Sequence, residues 1–293
     1  MTERKELSYC ILDPTGNITA LAEGEVPVSR QPETAARIMR LHPEVEQVGF
    51  VRFSSEGPAE EKISGGSGRT GLPGSGISVQ LRMAGGEFCG NASMSAAALY
   101  LHRTAASGSE AWQSVFLQVS GAAEPVEVRL KEIAAEKGTA WSARVKMPQA
   151  SGIEPFEDMT LVRMQGISHI IIEEGSSFFR LKDDRTAAEA AVRAWCGRLS
   201  ADGLGLMFLE QAEGAHLRKM TPLVYVPGSG TVFWENSCAS GSAAVGMYFS
   251  AKSGERADLT LQEPAGDLQV LSDPAAGETW LSGTVRLIEE FSL

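Results

Sequence analysis

Cysteine, basic residues and long apolar runs are all scarce in this sequence of 293 residues. Its four cysteines do not make a disulfide framework, and no two of them have the spacing of a zinc knuckle. A formal net charge of −11 argues against a nucleic-acid partner, which requires basic patches. No stretch is apolar enough to span a membrane, and residues 1–7 lack the core of a signal peptide. We therefore expect a cytoplasmic protein with no membrane or nucleic-acid partner.

Two of the cysteines stand in matching turns, each followed by a helix of small residues. Cys89 lies in residues 85–91, Gly-Gly-Glu-Phe-Cys-Gly-Asn, and Cys238 lies in residues 234–241, Trp-Glu-Asn-Ser-Cys-Ala-Ser-Gly. A thiol at a helix start is close to unpaired N–H groups and to the positive end of the helix dipole. We expect both effects to lower the thiol pKa, and the same N–H groups can hold a carboxylate.

The two turns lie about half a chain apart, one in each half, which predicts two equivalent lobes facing a shared cleft. Facing thiols suit one reaction in particular, in which one thiolate removes a proton from a carbon and the other thiol returns one to the opposite face. The remaining cysteines, Cys10 and Cys196, are expected to be buried and inert. The histidines show no ligand spacing with Cys89 or Cys238, so no metal site is predicted, and His169 is expected to be structural.

The pattern of short strands, tight turns and few helices predicts an α+β fold rather than a doubly wound α/β fold. Helices are predicted over residues 32–41 and 186–196 and after each of the two cysteine turns. Strands are predicted at 7–11, 46–51, 77–83, 115–119, 126–130, 141–147, 160–164, 169–173, 206–209, 223–226 and 280–289, with one more after 264–267. Residues 64–75 are predicted to be a flexible hairpin connection because they are rich in Gly and Ser, and they lack the lysine of a phosphate-binding loop.

The cysteine motifs resemble those of the diaminopimelate epimerase-like superfamily of cofactor-independent racemases. A closer resemblance is to the histidine racemases of staphylopine-type metallophore pathways. The stretches that carry this resemblance run from near the start of the chain to beyond residue 240: 13–17 (Asp-Pro-Thr-Gly-Asn), 46–50 (Glu-Gln-Val-Gly-Phe), 87–92 (Glu-Phe-Cys-Gly-Asn-Ala), 119–121 (Val-Ser-Gly), 147–150 (Met-Pro-Gln-Ala) and 234–238 (Trp-Glu-Asn-Ser-Cys).

The resemblance implies that Cys89 and Cys238 form the acid–base pair of an amino-acid racemase that needs no cofactor. It implies that backbone N–H groups of Gly90, Asn91, Ala239 and Ser240, at the two helix starts, hold the substrate α-carboxylate, and that Asn17 lies in the same pocket. It also implies two pseudo-symmetric lobes, each an antiparallel sheet wrapped around a central helix. The N-terminal lobe would comprise residues 1–148 with a return strand at about 283–293, and the C-terminal lobe residues 149–282. A homodimer is expected.

Departures from the diaminopimelate epimerase pattern bear on the substrate. No Lys or Arg occurs between Lys219 and Lys252, so the arginine that would bind a distal carboxylate is missing. The family's Asn-Pro-His turn is replaced by residues 166–169, Gly-Ile-Ser-His. Diaminopimelate is therefore disfavoured, and histidine or a near relative is expected. The candidates for contacting an imidazole N–H or a cation are Glu46, Trp234, Glu235 and Asn236.

Two other classes of function stay open at this point. A hydrolase with a cysteine nucleophile would need an imidazole beside the thiol. An amino-acid-binding protein would give the paired thiols no task. Exchange of solvent deuterium into the α-position separates the three classes, because only a racemase labels its substrate.

Overall fold

The computed structural model describes residues 7–54, 76–104, 111–214 and 216–293. The hairpin connection predicted at 64–75 lies outside these residues. The helices are α1 (Gln31–Leu41), α2 (Gly90–Arg103), α3 (Arg185–Leu199) and α4 (Ala239–Ser253). The strands are β1 (Ser8–Pro14), β2 (Thr19–Glu23), β3 (Gln47–Phe53), β4 (Val79–Met83), β5 (Gln113–Val119), β6 (Val126–Ile133), β7 (Ala140–Met147), β8 (Gly152–Phe156), β9 (Met159–Arg163), β10 (Ser168–Glu173), β11 (Leu204–Gln211), β12 (Leu217–Val226), β13 (Thr231–Trp234), β14 (Ala257–Glu263), β15 (Gly266–Asp273) and β16 (Glu278–Ser292).

The helix that follows Cys89 lies inside a closed ring of strands. Strands β1 to β7 pair in chain order, β7 pairs with β16, and β16 pairs back with β1. Helix α2 packs against every strand of this ring, and its residues from Gly90 to Leu101 are all buried. The run of Ala and Ser that the sequence shows is what lets a helix be enclosed on all sides, because small side chains permit close approach of the strands.

The helix that follows Cys238 has a similar position in the second half of the sheet. From β16 the sheet continues through β15, β14, β12, β11, β10, β9 and β8, and β13 pairs with β12. Helix α4 packs against β9, β10, β11, β14, β15 and β16. Helix α3 packs on β11 and β12 and buries Ala188, Val192 and Cys196.

The sheet is mixed, so the prediction of purely antiparallel sheets is wrong. Four neighbouring pairs are parallel: β2 with β3, β4 with β5, β10 with β11, and β12 with β14. Parallel neighbours require a crossover connection, and a helix lies between the two strands of each pair in the sequence. The α+β class is confirmed at this coarser level, as an extensive mixed sheet with a ring of strands and packed helices.

The helices were the most predictable elements, and several strands were not predicted. All four helices lie where the sequence places them. The strands β2, β8, β13 and β14 were missed. Strand β2 has the sequence Thr-Ala-Leu-Ala-Glu, whose composition favours a helix, yet it is held between β1 and β3. Among the described residues, no helix combines the length and apolar character needed to cross a membrane.

Candidate active site

The turn that carries Cys89 is held in place by the Val-Ser-Gly stretch that follows β5. The hydroxyl of Ser120 accepts a hydrogen bond from the Met83 N–H and donates one to the Glu87 carbonyl, both at 2.9 Å. Gly121 has a φ of +74°, and a Cβ there would lie 2.3 Å from the Phe88 nitrogen, so only glycine fits. Cys89 is the N-cap of α2, and its sulfur accepts from the Ala92 N–H at 3.4 Å.

The turn that carries Cys238 is capped by a buried carboxylate instead. Glu263 at the end of β14 accepts from the Cys238 N–H and from the Ser242 hydroxyl, both at 2.5 Å. Gly241 leaves room for the thiol, because a Cβ there would lie 3.1 Å from the Cys238 sulfur and 2.1 Å from the sulfur of Met207. The two cysteine turns therefore share a position at a helix start but differ in what caps the helix.

The two helix starts touch one another. The side-chain amide of Asn91 donates to the carbonyl of Ser237 at 3.2 Å. A Cβ on Gly90 would lie 2.9 Å from the Cβ of Ala239, so a larger residue at either place would separate the helices. This contact brings the thiols of both halves of the chain to one site.

A cavity of about 400 Å³ opens beside this contact. The predicted site residues that line it are Asn17, Glu46, Cys89, Asn91, Glu235, Cys238, Ala239 and Ser240. Gly90 and Asn236 do not line it: Gly90 lies at the helix contact, and the Asn236 amide donates to Glu46. Side chains of α1 together with Phe88 and Phe233 add an apolar wall. The volume suits a small organic molecule.

The cavity is acidic. Its lining includes three carboxylates, Glu46, Glu87 and Glu235, and none of the described residues that line it is Lys or Arg. Burial raises the pKa of all three, and the neighbouring charges of Glu46 and Glu87 help to raise the pKa of Glu235 to about 8. Glu87 was not predicted as a site residue, although it lies two positions before Cys89 in a stretch that carries the resemblance.

The prediction of lowered thiol pKa values is wrong. Burial raises the pKa of Cys89 to about 12; the hydrogen bond from the Ala92 N–H lowers it by less than burial raises it, and the charges of Glu235 and Glu87 raise it further. Burial, then Glu235 and Glu263, raise the pKa of Cys238 well above its usual range. Desolvation therefore outweighs the helix start at both sites, and a cationic ligand would be needed to favour a thiolate.

Trp234 does not belong to the cavity, so its prediction as a substrate contact is wrong. Its indole N–H donates to Glu189 at 3.2 Å, and its ring stacks on Phe208 with centroids 6.1 Å apart. The neighbouring Phe233 lines the cavity instead, because alternate residues of a strand point to opposite faces.

The remaining cysteines and His169 lie in the core, as expected. Cys10 and Cys196 are buried on β1 and α3. His169 on β10 is buried, and neither ring nitrogen has a partner among the described residues. Burial lowers its pKa to about 3, so the ring is neutral, and His169 is not part of the cavity lining.

The fold is shared with a solved structure. A structure described as a predicted epimerase from Pseudomonas aeruginosa matches with a TM-score of 0.61 and 14% identity, covering 98% of this chain and 99% of that one. The chain therefore has the fold of that structure, and its own two cysteines lie at two helix starts that meet.

The sequence places the chain more narrowly. Residues 70–288 match the family model described as the histidine racemase CntK N-terminal domain. A histidine racemase of Fusobacterium nucleatum is 28% identical over 97% of this chain and 95% of its own length. One of Staphylococcus aureus is 27% identical over 92% of this chain and 89% of its own. The chain belongs to the histidine racemase family and is an isomerase.

Proposed function

We propose that this protein interconverts L- and D-histidine, with Cys89 and Cys238 as the acid and the base and without a cofactor. The observation that carries the proposal is the contact between the starts of α2 and α4, which brings both thiols to one cavity. A planar carbanion held between two thiols can be reprotonated from either face, which is what inversion of the α-carbon requires. The family membership supplies histidine as the substrate to test first.

The α-carboxylate would bind at the two helix starts. The first N–H groups of a helix have no acceptor within it, and they carry the positive end of its dipole. Gly90 and Asn91 open α2, and Ala239 and Ser240 open α4, so both sets face the same contact. With no Lys or Arg in the described lining, these N–H groups are the natural anion site of the cavity.

The substrate side chain would be recognised by carboxylates. An imidazole N–H or a cation is favoured beside Glu46 and Glu235, whereas a distal carboxylate would meet three acidic groups and no arginine. Asn236 and Asn17 donate to Glu46 and so hold it in place. Diaminopimelate therefore remains disfavoured.

We infer that Glu235→Gln or Glu46→Gln lowers racemisation of histidine by roughly 10- to 150-fold, because a hydrogen bond to a charged group is worth about 1.5–3 kcal/mol. Exchange of the α-proton of alanine, which has no side-chain N–H, should fall less and is the matched control. If both variants racemise histidine at the wild-type rate, the assignment of these residues is wrong.

We further propose two pseudo-symmetric lobes, residues 1–148 with a return strand at about 283–293, and residues 149–282. The repeated order of a helix between parallel neighbours supports this division, since α1 and α2 in one half correspond to α3 and α4 in the other. Strand β16 pairs with both β15 and β1, as a return strand would. The homodimer and the cytoplasmic location stay predictions.

The decisive experiment is racemisation of a panel of L-amino acids in D₂O without added cofactor. With histidine we expect the optical rotation to disappear and deuterium to be incorporated at the α-position. Cys89→Ser and Cys238→Ser should each lose racemisation in both directions. Full racemisation by either single variant would contradict the two-thiol mechanism. A cysteine hydrolase is not supported, because no histidine is among the described residues that line the cavity.

A further inference from the structure

A chain of hydrogen bonds connects Glu46 to the thiol of Cys89 through two side-chain amides. The amide nitrogen of Asn17 donates to Glu46 Oε2 at 2.7 Å. The oxygen of Asn17 accepts from Gln47 Nε2, and the oxygen of Gln47 accepts from the Cys89 thiol at 3.0 Å. Asn236 donates to the other oxygen of Glu46. The chain therefore runs from a carboxylate at one end to a thiol at the other.

The direction of this chain is fixed by its surroundings. A carboxylate can only accept, so Asn17 must turn its NH₂ group towards Glu46. The Thr19 hydroxyl donates to the backbone carbonyl of Asn17 at 2.9 Å. The hydroxyl oxygen of Thr19 can therefore accept from Gln47 Nε2, which lies 2.7 Å away. Both contacts orient the NH₂ group of Gln47 away from Cys89. Gln47 thus presents an oxygen to the sulfur, and an oxygen acceptor favours the thiol over the thiolate.

We infer that Glu46, Asn17, Gln47 and Thr19 are positioning residues that keep Cys89 protonated, so that Cys89 is the acid of the resting enzyme. The inference deepens the proposed function and rests on it. The other ionisable groups that act on Cys89 are the carboxylates of Glu87, on the same turn, and Glu235, on the turn before α4. Those charges also favour the thiol, but only the chain of amides depends on the orientation of Gln47.

The consequence is an asymmetry between the two thiols. Cys238 has no comparable amide chain among the described residues; its sulfur lies 3.8 Å from the Ser240 hydroxyl, and the carboxyl group of Glu235 helps to raise its pKa. The orientation of Gln47 therefore acts on the α2 side of the cavity, and a change in it should alter the reactivity of Cys89 without altering that of Cys238.

The test is the alkylation rate of Cys89 by iodoacetamide between pH 7.5 and 9.5, read by peptide mass mapping so that the other cysteines do not interfere. Thr19→Val removes one of the two acceptors that hold the NH₂ group of Gln47, without changing charge, so only the Asn17 oxygen still opposes its rotation towards the sulfur. A larger share of molecules then presents the NH₂ group to Cys89, and the pKa of Cys89 should fall by about half to one unit. The alkylation rate should rise about two- to fourfold, since the gain in thiolate is partly offset by lower nucleophilicity.

Four more variants separate the effect of the Gln47 orientation from the effect of charge. Thr19→Ser keeps the hydroxyl and should alkylate like the wild type. Gln47→Glu places a carboxylate against the thiol and should slow alkylation. Glu235→Gln removes a nearby charge and leaves the chain of hydrogen bonds intact, so it measures the change in the Cys89 alkylation rate that charge alone produces. The change in Glu46→Gln, which affects both the charge and the chain of hydrogen bonds, is compared with it.

The inference is overturned if Thr19→Val, folded as judged by circular dichroism, alkylates at the wild-type rate, or if Gln47→Glu speeds alkylation. Should Thr19→Val not fold, Gln47→Glu alone decides. Because the alkylation assay needs no histidine, the inference about the hydrogen-bond chain and the proposed racemase activity can be refuted independently. Racemisation without the alkylation shift overturns only the hydrogen-bond chain, and the shift without racemisation overturns only the proposed activity.

Discussion

Substitution of Gly241 by alanine is expected to displace the thiol of Cys238. The added Cβ would lie 2.1 Å from the sulfur of Met207 and 3.1 Å from that of Cys238, well inside the usual contact distance of about 3.5–4 Å. Met207 is fully buried, so it cannot swing into solvent. Overpacking costs about 1–3 kcal/mol, and alanine regains up to about 1 kcal/mol as a better helix former. The net loss of unfolding free energy should be about 0–3 kcal/mol.

The loss of activity should be much larger than this loss of stability. A misplacement of about 1 Å in a catalytic group costs roughly 100-fold in rate. Racemisation followed by the optical rotation of histidine, together with urea unfolding, measures both quantities. Gly246→Ala is the matched control. Gly246 lies on the same helix as Gly241, and an added Cβ would lie 2.5 Å from the side chain of Val270 on β15, away from the thiol.

The size argument also predicts a rescue. Met207→Ala combined with Gly241→Ala should recover most of the lost rate, because it removes the side chain against which the new methyl is pressed. A Gly241→Ala variant with the wild-type rate would refute the reasoning. Equal loss of rate in Gly246→Ala would show that the effect is general to α4.

Three further predictions concern pH, the support of the Cys89 turn, and closure. The pKa of Glu235 is about 8 in the folded state and 4.5 ordinarily, so between these pH values the folded state binds more protons than the unfolded state, and the contribution of Glu235 to stability falls as the pH rises. Glu235→Gln should therefore raise the melting temperature more at pH 8 than at pH 4. An equal gain at both pH values would contradict this. Ser120→Ala leaves the Met83 N–H and the Glu87 carbonyl without their partner and should cost about 1–3 kcal/mol in urea unfolding, whereas an unchanged midpoint would count against it. Histidine should reduce the radius of gyration in small-angle scattering as the lobes close about residues 147–150 and Ser282, and identical scattering curves would exclude such closure.

The parts of the site that the sequence predicts are those set by local patterns. A cysteine, a glycine turn and a helix of small residues are adjacent in the chain, so the positions of Cys89 and Cys238 at helix starts could be inferred directly. Strand β2 could not, because its pairing with β1 and β3 overrides a composition that favours a helix. Local propensity is a weak guide where both edges of a strand are paired.

The parts that escaped prediction depend on contacts between distant segments. Glu263 caps α4 from a strand 25 residues after Cys238, and nothing in the local sequence of β14 marks it for that role. The pKa of Cys89 depends on burial and on Glu235 from the other half of the chain, so the helix start alone gave the wrong sign. The prediction that Trp234 contacts the substrate failed for a simpler reason. Neighbouring residues of a strand point to opposite faces of the sheet, so Phe233 faces the cavity and Trp234 does not.

The pairing of β16 with both β1 and β7 has a consequence for biosynthesis. The ring of strands around α2 needs β16, which is translated after the other strands described, because residues 285–292 pair with residues 8–14. A nascent chain cannot close the ring before β16 has left the ribosome, so the helix that follows Cys89 stays without part of its enclosure until then. A premature stop before β16 would therefore damage the fold around residues 8–14 as much as the region it removes.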